Sequence, residues 1–160
     1  MKHIPDSVVS ESTHASAVET IIGHCFGCGQ SNPNGLHLHF LLDPVAHTSW
    51  AEVHLSRLHE GPPGHIHGGI IATLLDEAMG KLNPAFDVLA MTRNMEVDYL
   101  RPSPLYTDLV LTGRNLRQEG RKLFHEAELS TPRGVTLARA KALFIAIDPV
   151  LIGSRPPISR

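Results

Sequence analysis

Apolar positions along this chain repeat with period two, then with period 3.6, then with period two again. Leu36 to Leu42 alternates Leu with His or Phe, as a half-buried strand does, and Trp50 to Leu55 reads as its antiparallel partner. From Ile70 the spacing changes. Ile70, Ile71, Leu74, Leu75, Ala78, Met79 and Leu82 fall on one wide stripe of a helical wheel, which predicts a core-facing helix from about Gly68 to Leu82, ended by Asn83-Pro84. Three long alternating stretches follow: Leu89 to Leu100, Asp108 to Gln118 joined to Arg121 to Ser130 across a Glu119-Gly120 turn, and Gly134 to Ile147 after Pro132-Arg133. Strands, one long helix and a further run of strands with short connections predict an α+β domain. In it an antiparallel meander of five or six strands curls around the central helix. The domain is expected over 24–148. Residues 1–23 form a polar lead-in, with a short helix or turn at Ala17 to Gly23 covering one end of the sheet, and 149–160, with its three prolines, forms an extended arm.

The face of the predicted helix away from the stripe carries Gly69, Thr73, Asp76 and Gly80. A solvated back face is normally filled with Lys, Glu and Gln, so three small residues around one carboxylate predict the close approach of another backbone, a helix-to-helix interface with an acid in it. The helix starts in His67-Gly68-Gly69, after the loop Gly61-Pro62-Pro63-Gly64. Backbone N–H groups there are orphan donors at the positive end of the helix dipole, a ready place to polarise a carbonyl oxygen. His67 and Asp76 are separated by roughly 13 Å of helix and cannot serve one small substrate within one subunit. Two helices running antiparallel across a two-fold axis would bring each start to the other's Asp, so the expected unit is a homodimer with two composite sites.

Composition changes this picture little. At 160 residues the chain has material for one core, and a net charge of -2 lacks the basic footprint of a nucleic-acid binder. No stretch approaches eighteen consecutive apolar residues, and the first residues lack the basic and apolar regions of a secretory signal, so neither nucleic acid nor membrane is an expected partner and the expected location is cytoplasmic. Cys25-Phe-Gly-Cys28-Gly is a Cys-x-x-Cys, but these are the only two cysteines, and His24, His37 and His39 stand at no familiar zinc-finger spacing. The βαβ context of a redox motif is missing. A turn built on Gly27, Gly29, Pro33 and Gly35, with no metal, is the expectation. The eleven histidines are scattered, and the pairs His37/His39 and His65/His67 read as surface or packing residues.

Three separated blocks, EGPPGHIHGG, TLLDEAMG and AMTRNMEVDYLRPSPL, resemble in order and spacing the signature of hotdog-fold acyl-coenzyme A thioesterases, in their PaaI-like and THEM-like branch, over residues 25–148. The resemblance implies the hotdog fold, a homodimer paired again into a tetramer, and hydrolysis of acyl-coenzyme A to acid and coenzyme A with no separate cofactor. It places the nucleophile or general base at Asp76, the carbonyl-holding N–H at Gly68 or Gly69 with His67 beside them, and the residue that positions water at Thr92. The backbone of Met91 to Met95, including Asn94, would hold the pantetheine arm. Arg93, Arg101, Arg121 and Lys122 would meet the nucleotide end, and Leu58, Ile71, Leu75 and Met79 would line the acyl path. Some relatives carry an Asn or Gln where this chain has Gly61-Pro62-Pro63, so any role for such an amide is absent here.

The chemistry stands without the family. A thioester carbonyl is already electrophilic, so its hydrolysis asks only for oxyanion donors and a base or nucleophile in a water-poor slot. Two other readings use the same residues: a hotdog dehydratase or hydratase, which needs a second acid beside a His base, and a non-catalytic acyl-thioester binding module. Nothing in the residues fixes the acyl chain, or decides between coenzyme A and a carrier-protein thioester.

Overall fold

In the computed structural model, which describes residues 23–152, a helix α1 (Gly68–Gly80) packs against a six-stranded antiparallel sheet. The strands are β1 (Leu41–Asp43), β2 (Thr48–Val53), β3 (Leu89–Tyr99), β4 (Leu109–Glu119), β5 (Lys122–Ser130) and β6 (Thr136–Ile147), in the order β1-β2-β4-β5-β6-β3. The apolar stripe of α1 makes the core. Leu74, Leu75, Ala78 and Met79 are sealed among Val53, Leu111, Leu123, Leu129 and Phe144 from the inner face of the sheet. Each large side chain so buried contributes roughly 1.5–3 kcal/mol. Ile70, the edge of the predicted stripe, is only half-buried.

One close approach sets how α1 sits. Gly113 of β4 lies under the helix, where an added Cβ would stand 2.6 Å from Ser49 Oγ and 2.7 Å from the Ala78 carbonyl oxygen. The Ser49 hydroxyl donates to that same carbonyl at 2.7 Å. A side chain at 113 would push the last turn of the helix off the sheet.

The predicted α+β architecture is present, with differences in detail. The strand expected at Leu36 to Leu42 is reduced to Leu41–Asp43. His37 sits at φ 51, which breaks the extended run, and the Leu36 and Leu38 N–H groups donate to Phe26 and Gly27 carbonyls instead of a neighbouring strand. The helix stops at Gly80, two residues early, and Asn83–Phe86 forms a 3-10 turn in place of a plain break. The meander is interrupted: β3 does not lie between β2 and β4 but pairs with β6 at the far edge, Leu89 with Ile147 through Tyr99 with Ala138. The hairpin turn lies at Gly120-Arg121, one residue beyond the expected pair, since Glu119 faces Lys122. Pro149–Ile152 is a 3-10 turn where an extended arm was expected. The expectations for residues 1–22 and 153–160 lie outside the described residues. Among the described residues no helix is long and apolar enough to cross a membrane.

Candidate active site

The predicted site residues divide between the two ends of α1. At the C-terminal end, Asp76 is half-buried and accepts a hydrogen bond of 2.8 Å from Thr92 Oγ1 on β3. Burial raises its carboxyl above the usual range, the Thr92 bond works against that, and the neighbouring Glu77 charge adds to it. Thr92 reaches α1 because the β3–β6 register slips there: Thr92 faces Phe144 and Asn94 faces Leu143, leaving Arg93 as the extra residue of a bulge. A bulge bends the strand and re-aims the side chains on either side of it.

At the N-terminal end, His67 is the N-cap of α1, with φ -61 and ψ 136. Its ring Nδ1 accepts from the Gly69 N–H at 2.9 Å, and its carbonyl accepts from Ile70 and Ile71. The Gly69 donor is therefore taken. Among the described residues nothing accepts from the Gly68 N–H, which makes Gly68 the open donor of the helix start. Tyr99, which the sequence reading passed over, donates its hydroxyl to the Gly68 carbonyl at 3.0 Å. Gly68 in turn leaves the Tyr99 ring at ordinary contact distance.

The other predicted contacts follow the same division. Met91, Arg93 and Asn94 are exposed on β3 beside Thr92, and Lys122, in the row Lys122–Ile145–Met91, stands two strands from Met91, about 10 Å. Arg121 is beside it at the hairpin turn, its Nε on the Ala146 carbonyl. Arg101 is at the opposite end, its backbone N–H and guanidinium tied to Leu137 and Thr136 carbonyls at the start of β6. Three expected acyl-lining residues are core: Ile71 is buried, and Leu75 and Met79 are fully enclosed. Leu58 lies exposed in the 3-10 turn Arg57–His59.

Residues 63–138 match the sequence profile of the thioesterase superfamily. Over that segment the chain is similar to the thioesterase superfamily. The acyl-coenzyme A thioesterase THEM4 of Rattus norvegicus is 40% identical over 92 residues, 56% of this chain and 39% of that protein. The Bos taurus THEM4 is 36% identical over 91 residues, with 56% and 37% covered. The chain thus spans about two fifths of the length of the curated relatives it matches. Among solved structures, a thioesterase superfamily protein superposes with a TM-score of 0.69 at 31% identity, covering 73% of this chain and 60% of that one. Zebra fish thioesterase superfamily member 2 superposes with a TM-score of 0.67 at 17% identity, covering 82% and 97%, and shares the fold.

Two further features were not legible in the sequence. His125 is fully buried, its Nε2 3.0 Å from Asn83 Oδ1 and its Nδ1 3.1 Å from Asn115 Nδ2. That network assigns the neutral ring with Nε2–H donating and Nδ1 accepting. Desolvation, helped by His47, lowers its pKa to about 4. The turn at Cys25–Cys28 docks on α1: Cys25 Sγ lies 3.6 Å from Glu77 Oε2, and Lys81 Nζ lies 2.8 Å from Cys28 Sγ. Burial and Glu77 push the Cys28 thiol up to about 12 against the pull of Lys81.

A groove of about 810 Å³ runs over the outer face of the sheet, lined by charged residues such as Arg114, Glu126, Arg139 and Asp98. Its two arginines are engaged in cross-strand pairs, Arg114 with Glu126 and Arg139 with Asp98. Asp76, Thr92 and Gly68 line no part of it.

Proposed function

We propose that this chain hydrolyses acyl-coenzyme A thioesters at two composite sites of a homodimer, each made of Asp76 and Thr92 from one copy and the Gly68 helix start from the other. The observation that carries it is the Thr92–Asp76 hydrogen bond at the β3 bulge, which holds one oxygen of a half-buried carboxylate. Among the described residues no other side chain donates to Asp76, so its second oxygen is available to attack the thioester carbonyl or to take a proton from water. The Gly68 N–H would then hold the oxygen on which negative charge develops. The acyl-coenzyme A class rests on the relatives matched above, which bear that activity in their names.

The need for two copies rests on geometry. Gly68 and Asp76 lie about 12 Å apart along α1, too far to share one carbonyl group. β3 is an eleven-residue edge strand with Leu89, Met91 and Tyr99 exposed along it. An edge of that length and character is a template for pairing with another strand. Met91 to Asn94 and Lys122 then lie on the Asp76 side of a site, and Arg101 comes with the helix start of the second copy. Arg93 and the Arg121–Lys122 hairpin offer cations for the phosphates of coenzyme A.

Thiol release from short, medium, long-chain and aromatic acyl-coenzyme A substrates tests the reading. Wild-type turnover that Asp76→Asn lacks, with the dimer intact by light scattering, is the expected result. An active monomer refutes the composite site. A wild-type chain that binds these thioesters and turns over none of them is a binding module instead. Single turnover in heavy-oxygen water separates the two roles of Asp76, since only a nucleophilic carboxylate takes up the label.

A further inference from the structure

We infer that Cys25, Cys28 and Glu77 form a thiolate-carboxylate site for a zinc-class divalent ion that clamps the segment before β1 onto the C-terminal half of α1. Their ligand atoms all lie within 4.8 Å of one another, and each residue is half-buried. Two cysteines alone are too few for a structural zinc. The third donor comes from a helix 52 positions away, where no sequence spacing reveals it.

The Cys25–Glu77 separation is already that of two ligands on one ion. Ligands at about 2.3 Å (sulfur) and 2.0 Å (oxygen) around tetrahedral zinc stand about 3.5 Å from each other. Cys25 Sγ and Glu77 Oε2 are 3.6 Å apart. The turn comes close to the carboxylate: a Cβ on Gly27 would stand 2.5 Å from Glu77 Oε2, so a larger residue there would displace the Glu77 side chain from its present position. The charges also balance. Two thiolates and one carboxylate carry three negative charges, the ion supplies two positive, and Lys81, 2.8 Å from Cys28 Sγ and 3.6 Å from Glu77 Oε1, supplies the third. The fourth position of the ion is left to water. Binding releases the two thiol protons to solvent, with no change of oxidation state. A redox role fits less well: a redox dithiol stands at a helix N-terminus, whereas this pair sits in a turn.

The test is a cobalt(II) titration of the full chain, reduced and stripped with chelator. The expected result is a near-ultraviolet thiolate-to-cobalt band with visible bands of tetrahedral intensity, saturating at one ion per chain and displaced by zinc. Glu77→Gln, which keeps the side chain's shape, should weaken cobalt binding at least ~10-fold. The pair Cys25→Ser, Cys28→Ser should abolish the band. A missing band in the wild-type chain overturns the site. So does a band unchanged by Glu77→Gln, which would leave the dithiol alone as ligand, or equal uptake by the double serine variant, which would assign the ion to histidines. Circular dichroism of each variant separates loss of ligand from loss of fold. The spectrum does not depend on thioester turnover, so it stands or falls apart from the proposed activity.

Discussion

Gly68→Pro removes one atom group, the N–H proposed to hold the substrate's oxygen, and little else. Gly68 is the first residue of α1, where proline is well tolerated because its missing N–H has no partner within the helix. No acceptor among the described residues loses a bond. The preceding His67 already has the extended φ -61, ψ 136 that a residue before proline adopts. An added Cβ would meet Tyr99 Cε1 at 3.6 Å, ordinary contact. Stability should therefore change by no more than about 1 kcal/mol. Loss of an oxyanion donor, by contrast, should lower kcat by about 10²–10³, or ~3–4 kcal/mol of transition-state stabilisation. The assay is steady-state thiol release beside thermal unfolding. Co-expression of Gly68→Pro with Asp76→Asn sharpens it. In a two-fold dimer, mixed pairs make up about half of the population, and each has one site with both lesions and one with neither, so about one quarter of wild-type activity should return. A folded Gly68→Pro chain with wild-type kcat, or a mixed population with no regained activity, refutes the composite site.

Three other outcomes follow from the packing. With a folded-state pKa of about 4 against 6.5 unfolded, His125 binds a proton only on unfolding in that range, so its contribution is present above pH 6.5 and is lost as pH falls toward 4; urea unfolding should show about 2 kcal/mol lost between pH 7 and 5, and His125→Gln should remove that slope. Gly113→Ala should cost about 1–3 kcal/mol, read as a lower denaturation midpoint, because its Cβ meets Ser49 Oγ and the Ala78 carbonyl. His67→Ala removes the cap on Gly69, so thermal denaturation should show ~1 kcal/mol of lost stability while kcat falls far less than in Gly68→Pro.

The parts legible in the sequence were those with a strong local period. The stripe from Ile71 to Met79 predicted the buried face of α1, and the alternation from Leu109 to Ile147 gave three strands to within two residues. Period alone carries no information on strand order, so the place of β3 at the far edge was not readable: its pairing with β6 is a contact of distant segments. Asn83 was read as a helix stop, yet its buried carboxamide accepts from His125, a partnership visible only once β5 lies beside the helix. Asp76 stood out as a candidate because a lone acid among small residues breaks the pattern of a solvated face. That the Gly69 N–H is taken and the Gly68 N–H open follows from the direction of the His67 ring, which no sequence gives.

The proposed arrangement would make activity a property of association as well as of folding. Within one chain the core side of α1 is complete: Leu74, Leu75, Ala78 and Met79 are sealed whether or not a second copy is present. Its other side is unfinished, with Gly69 exposed and Thr73, Asp76 and Gly80 half-exposed. In the proposed dimer a second helix covers that side, excluding water from Asp76 and supplying the missing Gly68 donor in one step. Dilution should then abolish turnover before it unfolds the chain, with specific activity and dimer fraction falling at the same protein concentration. Activity that survives complete dissociation would mean that Asp76 finds its oxyanion donor within its own subunit, and the two-copy reading of α1 would be wrong.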